Sequence, residues 1–540
     1  MEITDVSLSA TNKLTEEYIQ GSNQAMSYFH YNIHKSDVYK ERLHDLKSYT
    51  HPREELVEYL TGFNKKLNAS NKTLENIEQL RDQDSVVVVG GQQAGLLTGP
   101  LYTIHKVISI ILLAKQQEEA LGVPVLPVFW IAGEDHDFAE INHVYVEEKG
   151  QMLKKTFKQS LKTKDMVSNV NINQEACSEW IDSLFQLFGE TEHTKEVLAF
   201  LKCSLQQSQT FTDFFAYLTT KLFTEYGLIL MDAASEELRK IESSFFIQLI
   251  EQNEALSQSV MAQQKKLSDD YKKVIDVGSE TAHLFYSHEG NRILLERDEA
   301  QNFKGKQDEV SFSKENLIQI AKQSPHLLSN NVVTRPLMQE YLLPTLAFVA
   351  GPGEVAYWAE LQQAFNIFNF TMPPVVPRLS YTLVERNIAK YLEELNINSE
   401  KAVVQGVATE REAWLRAEVR NPYEGYFNEA KEKIEEIHKT LRENVQKEDK
   451  TFEEVLLKNR AILQKQMETV QKIVESKQLI KHDVTHTKYN KIECALRPNG
   501  APQERIWNVA YYLNKYGMQF VSQLLNEEVE FNHHLKVCYL

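Results

Sequence analysis

Four consecutive valines, Val86 to Val89, run directly into Gly90-Gly91-Gln92-Gln93-Ala94-Gly95, and few chain geometries accept that pairing. A short β-branched run bounded by glycine reads as a strand buried on both faces, as in parallel sheet. Thr98-Gly99-Pro100-Leu101-Tyr102-Thr103-Ile104-His105-Lys106 follows, then the apolar residues 107–113. Pro100 suits the entry to a helix, where a missing N–H costs nothing. A second apolar run, residues 123–131, ends in Gly133-Glu134-Asp135-His136-Asp137. Strand, glycine loop, helix and strand make a right-handed βαβ unit. Ligands of such sheets bind at the carboxyl ends of the strands. The polar clusters at 90–105 and 133–137 both fall there, which is where chemistry is expected.

The remaining segments extend this unit. Residues 1–84 read as a polar helical layer on the core, with helical spacing and no strand-like alternation; the Tyr28-Phe29-His30-Tyr31-Asn32 cluster belongs to that layer. Residues 144–146 form a short strand, and 152–157 with 166–172 an inserted hairpin. Helices span 174–223, a buried strand at 227–231 ends at Asp232, and 235–273 reads as one long helical region. Residues 282–287 and 292–296, around His288-Glu289-Gly290-Asn291, form a β-hairpin. Residues 346–350 lead into Gly351-Pro352-Gly353-Glu354 and a helix at 355–365, and 374–376 lead into Arg378-Leu379-Ser380. The fold class is therefore α/β, a Rossmann-like doubly wound domain over residues 85–380 with inserted connecting elements.

Residues 381–488 differ. The stretch 428–477 has no Gly or Pro, and Ile434, Ile437, Leu441 and Val445 keep a seam that Phe452, Val455, Ile462, Val470 and Ile473 resume. That pattern is a coiled coil or long helical hairpin, with Glu448-Asp449-Lys450 as a reversal or a polar step, and it points to a homodimer. Residues 489–540 pack back on the core. There Arg497 and Arg505 flank the turn Pro498-Asn499-Gly500-Ala501-Pro502, placed either to grip an anion or to pair with local carboxylates.

A formal charge of −17 argues against a nucleic-acid partner. Cys177, Cys203, Cys494 and Cys538 are scattered without metal-ligand spacing, as free thiols of a reducing compartment. No stretch has the length of a membrane span and the opening residues lack a signal peptide, so a cytoplasmic protein without a membrane partner is expected.

Neither the G-x-G-x-x-G nor the Walker pattern is present. Unpaired N–H groups at a helix start still attract anions, which makes Gly91, Gly95, Thr98 and Gly99 candidates for a phosphate, with His105 close behind. Glu134, Asp135, His136 and Asp137, near Glu140 and His143, suit an amine or a sugar hydroxyl. Metal is the lesser reading and no metal site is assigned, because His136 and His143 are too far apart for one helical turn. Gln92, Gln93, Asp232, Glu354, Tyr357 and Trp358 sit at strand ends or just beyond them and complete the candidate substrate residues.

Gly-Gly-Gln-Gln-Ala-Gly-Leu-Leu-Thr-Gly-Pro-Leu-Tyr-Thr-Ile-His-Lys at 90–106 closely resembles the bacillithiol biosynthesis cysteine-adding enzymes. Phe-Trp-Ile-Ala-Gly-Glu-Asp-His-Asp-Phe-Ala-Glu-Ile at 129–141, Gly-Pro-Gly-Glu-Val-Ala-Tyr-Trp-Ala-Glu-Leu at 351–361 and Pro-Asn-Gly-Ala-Pro-Gln-Glu-Arg at 498–505 extend the match. The resemblance implies a Rossmann-like domain, a dimerising coiled coil, and addition of cysteine to glucosaminyl-malate as the last step to bacillithiol. The implied fold is similar to the class I aminoacyl-tRNA synthetases. Of their H-I-G-H signature the second histidine is kept as His105 and the first is replaced by Tyr102. Their K-M-S-K-S loop is echoed by Arg378-Leu379-Ser380-Tyr381-Thr382 without its second lysine.

Amide formation needs an activated carboxyl, so ATP is the expected activator, with magnesium at most accompanying the nucleotide. On this reading His105, Arg378 and Ser380 face the nucleotide, Tyr102 the substrate, and Asp135 and His136 orient the amine, one of them as base. The rivals are a catalytically degenerate nucleotidyltransferase serving as a scaffold, and another amide-forming ligase.

Overall fold

The computed structural model describes residues 2–7, 12–418, 423–479 and 483–540. Five strands form a wholly parallel sheet in the order Val375–Pro377, Thr345–Ala350, Val86–Gln92, Val125–Ile131, Ile229–Asp232. The valine run is its central strand, paired with its neighbour from Val86 opposite Val125 to Gln92 opposite Ile131. Covered on both faces, such a strand has no use for alternation, and Val86 to Val89 are all buried. Val87, Val89, Leu126, Val128 and Trp130 turn into a core shared with Leu56, Leu60 and Phe245. The helix Tyr102–Leu121 packs on the two central strands. It ends at Gly122, whose φ of +68° is the left-handed cap that glycine adopts without a Cβ clash.

Met1–Glu148, Met152–Leu383 and Pro502–Cys538 make one compact unit; Lys149–Gln151, Val384–Ala501 and Tyr539–Leu540 make a second. The tail read as one piece from residue 489 thus divides after Ala501. In the second unit the helices Glu424–Glu448 and Glu453–Leu479 run antiparallel. Lys431 Nζ reaches Gln471 Oε1 at 2.7 Å, Arg460 Nε reaches Glu435 Oε2 at 2.5 Å, and His438 meets Asn459 at 3.3 Å. The Glu448-Asp449-Lys450 interruption is therefore a reversal.

Three segments depart from the sequence reading, and the expected hairpin at 282–296 is present within a larger sheet. Glu2–Val6 is a strand, in a sheet with Leu535–Tyr539 and Ser380–Val384, so the N-terminal layer is not wholly helical. The hairpin after the second parallel strand joins His143–Glu148 to Gln151–Thr156; residues 166–172 instead contain the short turn Val167–Asn169. The region 235–273 breaks into Glu236–Glu251 and Asn253–Leu267 at Gln252. The hairpin Thr281–His288 with Asn291–Arg297 belongs to a five-stranded antiparallel sheet completed by Phe303–Gly305, Ser311–Phe312 and Leu328–Asn330.

Candidate functional site

The strand order places the topological switch between Val86–Gln92 and Thr345–Ala350, where the chain leaves the sheet centre in opposite directions. The loops after these two strands flank this crevice. The glycines of the first loop answer to neighbouring backbone. A Cβ on Gly90 would lie 2.9 Å from the Val349 carbonyl oxygen, one on Gly91 2.7 Å from that of Trp130, and one on Gly95 2.7 Å from the Gly99 Cα. At the switch itself stands Lys106, buried, donating to the Gly91 carbonyl at 2.7 Å, Gln92 Oε1 at 3.2 Å and Glu354 Oε2 at 2.5 Å. Glu354 in turn accepts from the Gly351 amide at 2.6 Å, capping the Pro352–Trp358 helix. Burial lowers the Lys106 pKa despite the Glu354 carboxylate beside it.

The preceding helical residue meets a different environment from the one expected. His105 is fully buried, and its Nδ1 donates to Glu504 Oε2 at 2.9 Å. Arg378 grips the same carboxylate with two nitrogens, each at 2.6 Å. Burial opposes the Glu504 charge, yet Arg378 and His105 bring its pKa down to about 2. His105 is held neutral, chiefly by burial, with its ring 5.0 Å from that of Tyr381. Its expected contact with a phosphate is therefore replaced by an internal ion-pair network. Arg378 Nη1 also donates to Ser380 Oγ at 3.0 Å, so the Arg378 and Ser380 pair braces this network.

The Gly95–Gly99 loop is likewise taken up by the chain. Asn508 Nδ2 donates to the Leu97 and Gly99 carbonyls at 2.9 and 2.6 Å, and the Leu101 amide donates to the Trp507 carbonyl at 2.8 Å. Gly95, Thr98 and Gly99 are buried beneath these residues, so they do not form an open phosphate cradle.

The second cluster divides by role. Glu134 is buried, ion-paired to Arg239, which also holds Glu242 at 2.6 Å, and it accepts from the Asn330 amide at 3.1 Å. Burial pushes the Glu242 carboxyl up to about 7 in spite of Arg239. Asp232 is buried too, accepting from Ser168 Oγ at 2.7 Å and the Ala234 amide at 3.0 Å, and burial pushes it up to about 6. A Cβ on Gly133 would overlap both Ser168 Oγ and Asp232 Oδ1, which fixes glycine there.

Asp135, by contrast, is half-buried at the open end. Gln93 Nε2 lies 2.6 Å from Asp135 Oδ2 and 2.7 Å from Glu140 Oε2, so two carboxylates converge on one nitrogen. Burial works against the Asp135 charge, but Gln93 and the Asp137 and His136 amides hold its pKa below the ordinary value. His136 receives Arg292 Nη1 at Nδ1, at 3.3 Å.

Tyr102 links the two clusters. Its ring lies 5.9 Å from the Arg378 guanidinium, and its phenol, raised in pKa by burial, feels Arg378, Arg505, Glu140 and Glu354. Arg505 is exposed, whereas Arg497 belongs to the second unit and donates to its own turn at Gly500, 3.1 Å away. Tyr357 accepts from Arg335 at 3.2 Å. Trp358 is wholly buried, its ring 4.3 Å from Phe348 in a stack, so it serves the core and not a substrate. Sequence reasoning missed Arg239, Arg292 and Glu504 and gave Lys106 no role. Among these Lys106, within the motif at 90–106, and Glu504, within that at 498–505, carried a local signal. Among the described residues no group of three or more His, Cys, Asp or Glu is arranged to hold a metal ion.

Comparison with known proteins agrees with this architecture. Residues 1–379 match the bacillithiol biosynthesis BshC N-terminal Rossmann-like domain and residues 381–540 the BshC C-terminal coiled-coil domain. Proteins named "Putative cysteine ligase BshC" are similar over the full length: 47% identical in Geobacillus sp. (strain WCH70) and 45% in Anoxybacillus flavithermus, each over 100% of both chains. The protein of that name in Bacillus cytotoxicus is 44% identical over 99% of both. With a parallel sheet, a helical hairpin and matches along its whole length, the chain belongs to the bacillithiol biosynthesis BshC family.

Proposed function

We propose that this chain is a cytoplasmic cysteine ligase that joins the carboxyl of L-cysteine to the amine of glucosaminyl-malate, the last step of bacillithiol biosynthesis. The observation that carries the placement is the convergence of Asp135 and Glu140 on a single nitrogen donor, now Gln93 Nε2, at the open ends of the strands. An incoming amine finds there two carboxylates that hold it and favour its approach to a carboxyl carbon. A carboxylate is a poor electrophile, and ATP would supply the leaving group it lacks. With the Gly95–Gly99 loop closed, the groups suited to the nucleotide's phosphates are exposed Arg505 and the Tyr102 phenol, beside the Arg378 guanidinium. His105 then acts at one remove, neutral and tied to Glu504, by fixing Arg378.

The hairpin supports a homodimer. Ile437, Val455 and Ile462 are 71%, 63% and 57% exposed, an apolar stripe that one antiparallel pair of helices leaves uncovered. Among the described residues no helix is long and apolar enough to cross a membrane.

The scaffold reading draws on the same closed loop and buried His105. Purified full-length protein, incubated with cysteine, glucosaminyl-malate and ATP and with each omitted in turn, separates the two by mass spectrometry of products. The ligase reading expects the amide only in the complete mixture. Ligand binding with no amide under any condition would favour the scaffold.

A further inference from the structure

Arg292 lies far from the sequence motifs, on the strand Asn291–Arg297, and nothing in its immediate sequence marks it. Its guanidinium is fixed on three sides. It sits 3.7 Å over the Phe285 ring on the adjacent strand, Nε donates to Ser329 Oγ at 2.9 Å, and Nη2 donates to the Asn330 carbonyl at 2.5 Å. The remaining nitrogen, Nη1, points to His136 Nδ1 at 3.3 Å. The adjoining turn is held as well: the Arg292 amide donates to the Lys164 carbonyl at 3.1 Å, and the Lys164 amide to Asn291 Oδ1 at 3.0 Å.

A guanidinium has donors only. The ring nitrogen facing it must therefore accept, and an accepting Nδ1 carries no proton. The alternative partner for a protonated Nδ1 is Asp135 Oδ1, but that oxygen is 3.9 Å away, beyond hydrogen-bond reach, and already accepts the His136 and Asp137 amides at 2.7 and 3.3 Å. With Nδ1 bare, the proton of the neutral ring belongs to Nε2, which makes no hydrogen bond to any described residue.

We propose that Arg292 is a positioning residue that fixes His136 as the neutral Nε2–H tautomer, so that His136 meets its ligand as a hydrogen-bond donor and not as a base. The proposal rests on the ligase reading for its consequence: as the amine attacks the activated cysteine carboxyl, His136 Nε2–H donates to the carboxyl oxygen, Asp135 holds the amine and accepts the proton it sheds, and the activating phosphate group departs with the bonding electrons. This divides between two residues the roles the sequence left open between them. The charged groups facing the imidazole are Arg292 and Lys164, which disfavour its protonation along with burial, and Asp135 and Asp137, which favour it.

The test needs no substrate. Two-dimensional ¹⁵N–¹³C NMR of histidine-labelled full-length protein, with His136 assigned by its absence in His136→Gln, reads the tautomer and its titration. The wild type is expected to show Nε2–H at pH 7. Arg292→Ala is expected to mix the tautomers and raise the His136 midpoint by about one pH unit. Arg292→Lys, which keeps a cationic donor, is expected to restore part of both. An Nδ1–H tautomer in the wild type overturns the proposal, as does an unchanged tautomer and midpoint in a folded Arg292→Ala protein. Failure of the ligase reading appears elsewhere, as absence of amide product, and leaves the NMR result standing on its own.

Discussion

Glu504→Gln removes one charge from the buried junction of His105, Arg378 and Glu504, and its cost can be worked out. Glu504 is held at about 2 against an ordinary 4.5. At about 1.36 kcal/mol per pH unit, that difference corresponds to about 3 kcal/mol of stability at pH 7. Breaking a buried pair from one side typically costs about 3–5 kcal/mol, which brackets the same figure. The sign follows from the direction. A carboxylate whose folded pKa is depressed stabilises fully above its unfolded value, near pH 4.5, and loses that contribution as pH falls toward 2. Urea unfolding followed by tryptophan fluorescence is a suitable assay, because Trp130, Trp180, Trp358 and Trp507 all lie in the first compact unit. The variant should lose about 3 kcal/mol at pH 7, and the gap from wild type should narrow by more than half at pH 3. A loss under about 0.5 kcal/mol at pH 7, or a gap independent of pH, would refute the ion-pair account.

Gly133→Ala places a Cβ against Ser168 Oγ and Asp232 Oδ1, and should destabilise the chain by about 1–3 kcal/mol in the same denaturation assay, with loss of amide formation. Ile437→Asp with Ile462→Asp puts charge on the exposed stripe of the helical hairpin; analytical ultracentrifugation should find wild-type dimer and variant monomer, with the helical circular-dichroism signal kept.

Much of the fold could be read because its logic is local. Residues 86–89 and 125–131 are buried on both faces, so their apolar runs have no competing explanation. The glycine-bounded loops then placed both polar clusters at strand ends. The antiparallel sheet was legible only as its one hairpin, since strands such as Ser311–Phe312 and Leu328–Asn330 are too short for any period to register. Glu2–Val6 was missed because its sheet partner, Leu535–Tyr539, comes from the far end of the chain.

The site divides in the same way. Asp135 and His136 announce themselves by clustering and His105 by its motif, but the partners of the two histidines do not. Glu504 is 399 residues from His105, and Arg292 is 156 residues from His136. A lone arginine or glutamate in sequence gives no sign of which histidine it will face. Trp358 shows the opposite error: an aromatic beside Glu354 looks like a ligand contact, and the Phe348 stack makes it core.

The central claim is that the amine is held by the carboxylates at the end of the second strand, and Asp135→Asn addresses it most directly. Steady-state kinetics would be measured with glucosaminyl-malate varied at saturating cysteine and ATP. The account predicts a fall in kcat/KM for glucosaminyl-malate of about a hundredfold or more, with the KM for cysteine and the unfolding midpoint close to wild type. A kcat/KM within about twofold of wild type would contradict it, and would move the chemistry away from this end of the sheet.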